Sequence, residues 1–350
     1  MGIFTAIIIL SFLIFFHELG HFTVARFFGV RVNVFSIGFG KKLFSRQIGQ
    51  TLWTISAIPL GGYVQMKGQN DADPSQISYD EDSYAVKKPW QRILILLAGP
   101  FANFFLAFLL YFSMSIIGIP KPLADIGSIS KDSPAQIAGL QQGDKILKVN
   151  GQNITFWQEL SPAISKTQDN ISLMIERNAT LMSFTLKPKL IDDKNMFGET
   201  IQRRIIGIAP LGTKRIVHYH VTDAIIYAWE QTKQASLMIV ESMQKMLTGV
   251  VSPDQVGGII SIVDVTAEAS NASLLALLFF TALISVNLGV LNLLPIPALD
   301  GGHIMFNLYE MFTGKTASEQ VMMTLTIIGW GLLLSLMMLG FYNDINRLIG

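Results

Sequence analysis

Four stretches of this chain are long and apolar enough to cross a bilayer, which takes about 20 residues. They run about Ile3–Phe28, Ile93–Gly118, Leu274–Leu299 and Val321–Asn343. Half of the 350 residues are hydrophobic and only 15% are Asp, Glu, Lys or Arg. Such a composition argues against an ordinary soluble enzyme and against disorder. The net charge of +1 lacks the positive excess that nucleic-acid binding needs. The absence of cysteine rules out a disulfide framework, a thiolate metal site and a cysteine nucleophile. The expected fold is an α-helical polytopic membrane protein of four transmembrane helices carrying some extramembrane mass.

A signal peptide does not account for the first span. It has no positive leading region, since its first basic residue is Arg26, and no small-residue cleavage pattern follows. Nine Lys or Arg residues lie from Arg26 through Arg92, against only Lys315 in Gly302–Gln320. Positive charge in short loops marks the cytoplasmic side. Both termini and the long insert Ile119–Ser273 are therefore expected on the opposite side.

The insert reads as soluble and strand-rich over about Pro122–Pro210. Ser133-Pro134 is a helix start, with Ser as N-cap and Pro at the first helical position. Asn150-Gly151 is a hairpin signal between alternating runs. Beyond it, Thr222–Leu247 reads as an amphipathic helix packed on protein or on the membrane surface. The organisation expected is a membrane domain in two halves, 1–118 and 274–350, with a β-rich domain at 122–213 and a helix with connector at 214–273.

Spans two to four contain no ionisable residue, whereas the first carries His17-Glu18-Leu19-Gly20-His21. Residues four apart share a helix face, so both imidazoles reach one zinc ion and Glu18 stands beside it to activate zinc-bound water. Chance placement would yield this motif about 0.002 times in such a chain. A charged group inside a bilayer costs about 2.5–3.5 kcal/mol, so the cluster needs a compensating cation. His17 lies about 21 Å along the helix from Ile3, toward the cytoplasmic side. Catalytic zinc usually takes a third protein ligand. Asp300 is the better candidate, because it borders the third span on the cytoplasmic side after two helix-breaking prolines. His218 and His220 fall in the insert, and His303 either orients the site or stands by at the interface.

These residues resemble those of the site-2 proteases, intramembrane zinc metalloproteases, in their bacterial regulator-of-sigma-E protease branch. The likeness rests on His17–His21, on Ala98-Gly-Pro-Phe-Ala-Asn103, and on Asn292-Leu-Leu-Pro-Ile-Pro-Ala-Leu-Asp300-Gly-Gly, and it covers nearly the whole chain. It implies that His17, His21 and Asp300 bind Zn2+, that Glu18 is the general base, and that Asn292 and Pro295 line the substrate cleft. Trp53–Met66 resembles the family's membrane-associated β-hairpin, whose Gly61, Gly62, Tyr63 and Val64 would meet substrate by strand addition. Asn103 is read either as substrate-side or as helix-packing glue.

Ser133–Gly151 resembles a PDZ domain, of which this insert holds one set of signals where other members have two in tandem. The likeness further implies regulated intramembrane proteolysis in the bacterial inner membrane. The implied partners are the lipid bilayer and single-span membrane proteins such as truncated anti-sigma factors or remnant signal peptides. The rival readings are a non-catalytic PDZ-containing adaptor, which has no use for Glu18, and a metal-handling membrane protein, which should show several polar residues along a path where spans two and four carry no charge.

Overall fold

The computed structural model describes residues 2–69, 78–166 and 169–349. It divides into two units, one of 1–114, 223–246 and 252–350, the other of 115–222 and 247–251.

The first unit is mostly helical. Helix α1 (Gly2–Phe27) is followed by two long strands, β1 (Val32–Ile48) and β2 (Thr51–Met66), and by helix α2 (Pro89–Ile117). Among the described residues, four helices are long and apolar enough to cross a membrane: α1, α2, and the later helices Leu274–Asn292 and Glu319–Ile349. The third is shorter than the expected Leu274–Leu299. Pro295 and Pro297 cannot donate backbone hydrogen bonds, so the helix stops at Asn292 and residues 293–299 form tight turns, such as Leu294 N–H to Leu291 O at 3.0 Å.

Strands β1 and β2 form one folded ribbon rather than a hairpin within Trp53–Met66. Residues 32–37 of β1 lie between two stretches of β2, pairing Phe35 with both Trp53 and Val64 and Ser36 with both Thr54 and Tyr63. The outer part of β1 folds back onto the first of these, with Arg46 opposite Trp53. Alternation along 53–66 was legible in the sequence, but the intervening partner comes from twenty residues upstream.

The second unit is the strand-rich insert. It runs β3 (Ile119–Pro122), β4 (Ile126–Ile129), helix α3 (Pro134–Ile137), β5 (Lys145–Val149), β6 (Gln152–Asn153), helix α4 (Leu160–Ser165), β7 (Ile171–Arg177), β8 (Thr180–Leu186), β9 (Lys189–Lys194), β10 (Thr200–Ile205), β11 (Ile208–Pro210) and β12 (Lys214–Val217). The main sheet has the order β6-β5-β7-β8, while β11 pairs with β4, β12 with β3 and β10 with β9. Ser133 caps α3 by accepting from Gln136 N at 3.2 Å. Asn150 and Gly151 turn with positive φ, 49° and 82°, which a tight hairpin of this kind requires. Ile126, Ile146, Ile171, Leu173 and Ile175 form the core of this unit.

The chain then returns to the helical unit through α5 (Val221–Leu247), α6 (Ile259–Ala272), α7 (Leu274–Asn292), α8 (Asp300–Thr313) and α9 (Glu319–Ile349). Helix α5 buries the small stripe Ala224, Ala228, Thr232 and Ala235, and Ala228 and Ala235 share a core with Ala107 and Tyr111 of α2 and Ala282 and Val286 of α7. Helix α6 had been expected only as connector. Its start is capped from α9: the buried Asp344 carboxylate accepts from Gly258 N at 3.0 Å, Ile260 N at 2.9 Å and Ser261 N at 3.2 Å.

Candidate metal centre

One turn of α1 places His17, Glu18 and His21. The two imidazole Nε2 atoms lie 3.2 Å apart. Asp300, the first residue of α8, brings its Oδ2 to 3.3 Å from His17 Nε2 and 3.5 Å from His21 Nε2. Among the described residues these three form the cluster able to hold a metal ion. His303 lies outside it, as do His218 and His220 in the insert.

The donor set fits a zinc ion. Ligand distances of about 2.0–2.1 Å at tetrahedral angles put ligand atoms about 3.3 Å apart, close to the three separations found. Asp300 Oδ2 is buried without a hydrogen-bond partner. A buried carboxylate oxygen facing two imidazole lone pairs is compensated by a cation and not by a hydrogen-bond donor.

Close backbone approach builds this geometry. A Cβ on Gly301 would strike the carbonyls of Leu293 and Leu294, and one on Gly302 the backbone of Ile296 and Pro297. Only glycines let the 293–299 turns fold onto the start of α8 and deliver Asp300. Across from them, α2 runs against α1. A Cβ on Gly99 would fall on the His21 and His17 rings, and one on Gly20 on the Ala98 carbonyl. His21 Nδ1 donates to the Ile95 carbonyl oxygen at 2.8 Å, which leaves its Nε2 lone pair for a metal. Glycine in an apolar span signals close approach but not what approaches, and nothing in the sequence marks Ile95, whose part is played by its backbone carbonyl.

Glu18 is buried beside the histidines, and Gly62 of the ribbon lies against its Cγ. The other ribbon residues follow in line. Tyr63 stacks on Phe39 with ring centroids 6.1 Å apart, Gly61 has φ +145° with the Phe39 ring where a Cβ would stand, and Val64 faces the core of Ala25, Val30 and Val32. Asn103 is fully buried against His17. Asn292 ends α7 and Pro295 lies in the turns that follow, eight and five positions before Asp300 at the α8 start. Arg92, at the start of α2, pairs with Glu310 of α8 at 2.5 Å and ties the far end of that helix to the one that backs the histidines.

The sequence pattern of peptidase family M50 matches residues 5–336. The chain belongs to this family, the site-2 proteases. A Campylobacter jejuni protein named "Putative zinc metalloprotease" is 44% identical over 344 residues, 98% of this chain and 93% of that one. One of the same name from Helicobacter pylori strain J99 is 40% identical over 98% of this chain and 99% of its own length. A third, from Clostridium acetobutylicum, is 35% identical over 97% and 96%. Among solved structures, the PDZ domain of an SdrC-like protein from Listeria innocua matches 28% of this chain at 23% identity with a TM-score of 0.20, too low to argue from. Members of family M50 are zinc-dependent metalloproteases, and the four apolar helices make this member a multi-pass membrane protein.

Proposed function

We propose that this chain is an intramembrane zinc endopeptidase that cuts single-span membrane proteins, and that His17, His21 and Asp300 hold its zinc. The convergence of two Nε2 atoms and one orphaned carboxylate oxygen within a membrane helix bundle is the observation that carries the reading. Zinc bound there supplies Lewis-acid chemistry, acidifying water and polarising a carbonyl. Glu18 takes the proton from the attacking water as its oxygen joins the scissile carbon, and delivers it to the amine as the C–N bond breaks.

Substrate must reach Glu18 as extended chain, because a helix has every amide internally bonded. Residues 62–66 pair on one side with 32–37, and among the described residues no further strand pairs with them. A substrate segment added along this edge would run past Glu18. Gly61, Gly62, Tyr63 and Val64 present that edge, and by the family resemblance Asn292 and Pro295 line the substrate cleft. The insert acts as a PDZ-like screen for substrates whose outer domain has been removed, a reading supported by its capped α3, its Asn-Gly hairpin and its small four-stranded sheet. The substrates are truncated anti-sigma factors or remnant signal peptides in a bacterial inner membrane, with both termini and the insert outside the cytoplasm.

The decisive experiment replaces Glu18 with Gln and co-expresses a single-span model substrate. Zinc should stay bound at one per chain while cleavage stops. Cleavage at the wild-type rate would remove Glu18 from the mechanism.

A further inference from the structure

Helix α2 presents Ile95, Gly99 and Asn103 at four-residue intervals, a single stripe facing His21 and His17. The helices are antiparallel, so Ile95 meets His21 and Asn103 meets His17. Eight residues of α2 rise about 12 Å, while the two histidines are only about 6 Å apart along α1. The difference closes because a helix carbonyl points toward the C-terminus and a side chain leans toward the N-terminus. Ile95 reaches forward with its oxygen, Asn103 reaches back with its carboxamide, and Gly99 leaves room between them for both rings.

The two contacts are chemically parallel. A neutral imidazole that gives its Nε2 lone pair to a metal carries its proton on Nδ1, and that proton needs an acceptor. His21 has one in the Ile95 carbonyl. His17 Nδ1 faces the Asn103 carboxamide, with Nδ2 at 3.2 Å as the amide is placed. The two ends of a carboxamide have the same shape, so the proton on the ring decides which end faces it. With nitrogen toward His17, the His17 proton is forced onto Nε2, the end aimed at Asp300, and Asn103 Oδ1 is left buried with no partner. With oxygen toward His17, Nδ1–H is satisfied and Nε2 is free.

We propose that Asn103 is a positioning residue of the metal centre: its Oδ1 accepts the His17 Nδ1 proton, sets the ring's tautomer and holds its plane. The inference rests on the zinc reading above. Ser285 of α7 supports it, donating its hydroxyl to the Asn103 backbone carbonyl at 2.8 Å from a fully buried position. The same helix leads into the turns that deliver Asp300, so one buried asparagine joins His17 of α1 to the helix that precedes those turns.

The test is zinc affinity, read by chelator competition on the purified full chain in detergent. Asn103→Leu keeps the volume and removes the acceptor, and it should weaken zinc binding 10- to 100-fold. Asn103→Asp keeps an acceptor and cannot donate, and it should stay within about threefold of wild type. A Leu variant within twofold of wild type, or an Asp variant as weak as Leu, overturns the proposal; a packing role predicts that the buried Asp is no better tolerated than Leu. Nitrogen-15 NMR of histidine-labelled, zinc-loaded wild-type protein needs no variant. Both ring protons at the centre should sit on Nδ1, and one on Nε2 overturns the assignment. Asp300→Ala separates the two readings: retention of stoichiometric zinc in that variant defeats the metal centre itself, whereas loss there with an unaffected Leu variant defeats only the role of Asn103.

Discussion

Gly62 stands against Glu18 so closely that a methyl group on it would lie 3.0 Å from the Glu18 Cγ and 2.8 Å from the Ser36 carbonyl oxygen. The glycine joins the ribbon edge to the residue proposed as general base. Gly62→Ala should displace one against the other without touching the metal ligands. Cleavage should fall at least tenfold while the zinc content, measured by plasma emission, stays at one per chain.

Gly99→Ala makes the contrasting case. Its methyl would land on both imidazoles, and overpacking of this kind costs about 1–3 kcal/mol. Here zinc content and cleavage should fall together. Full zinc occupancy in this variant would show that α2 does not buttress the ligands as described.

Removal of the metal should destabilise the helical unit alone. A ligand at a thousand times its Kd adds about 4.1 kcal/mol to the folded state. Chelation should therefore lower the Tm of wild-type protein by several degrees, and Asp300→Ala should abolish the difference between chelated and zinc-loaded samples.

In the insert, Arg177 clamps the fully buried Asp144 with two hydrogen bonds, Nε to Oδ1 at 2.6 Å and Nη2 to Oδ2 at 2.7 Å. Breaking a buried pair from one side costs about 3–5 kcal/mol, because the remaining charge has no partner. Arg177→Met should sharply increase proteolysis within 115–222 while the zinc content stays at the wild-type level. The double variant with Asp144→Leu should recover part of the loss.

Lys67, at the end of the ribbon, reaches Asp80 at 2.7 Å and Asp82 at 2.6 Å in the segment that leads into α2. Its ammonium holds both carboxyls below their ordinary range. Depressed carboxyl pKa values contribute stability that is present above the unfolded value and lost as pH falls through the folded one. Amide exchange in 78–88, taken relative to the intrinsic rate at each pH, should thus stay level from neutrality to about pH 4 and rise below it. Lys67→Ala should raise it already at pH 7.

Much of this protein is written locally. Apolar runs of bilayer length specify spans, because a helix satisfies its own amides. His17, Glu18 and His21 share one helical turn, so their juxtaposition follows from 3.6-residue geometry alone. The Ser133-Pro134 cap and the Asn150-Gly151 turn are equally local. What the sequence could not decide are meetings across distance. Asp300 was the better candidate in the sequence, but its approach is tertiary: the 293–299 turns fold onto Gly301 and Gly302 and carry it 3.3 Å from His17. Trp53–Met66 resembled a hairpin, yet Trp53 and Val64 both pair with Phe35, since strand alternation fixes a face and not a neighbour. Asn103 read either as substrate-side or as packing glue; that it and Gly99 back the histidines is a property of how α2 crosses α1. Spacing along one helix therefore brought His17, Glu18 and His21 together, and only tertiary packing brought Asp300, Ile95 and Asn103 to the two rings.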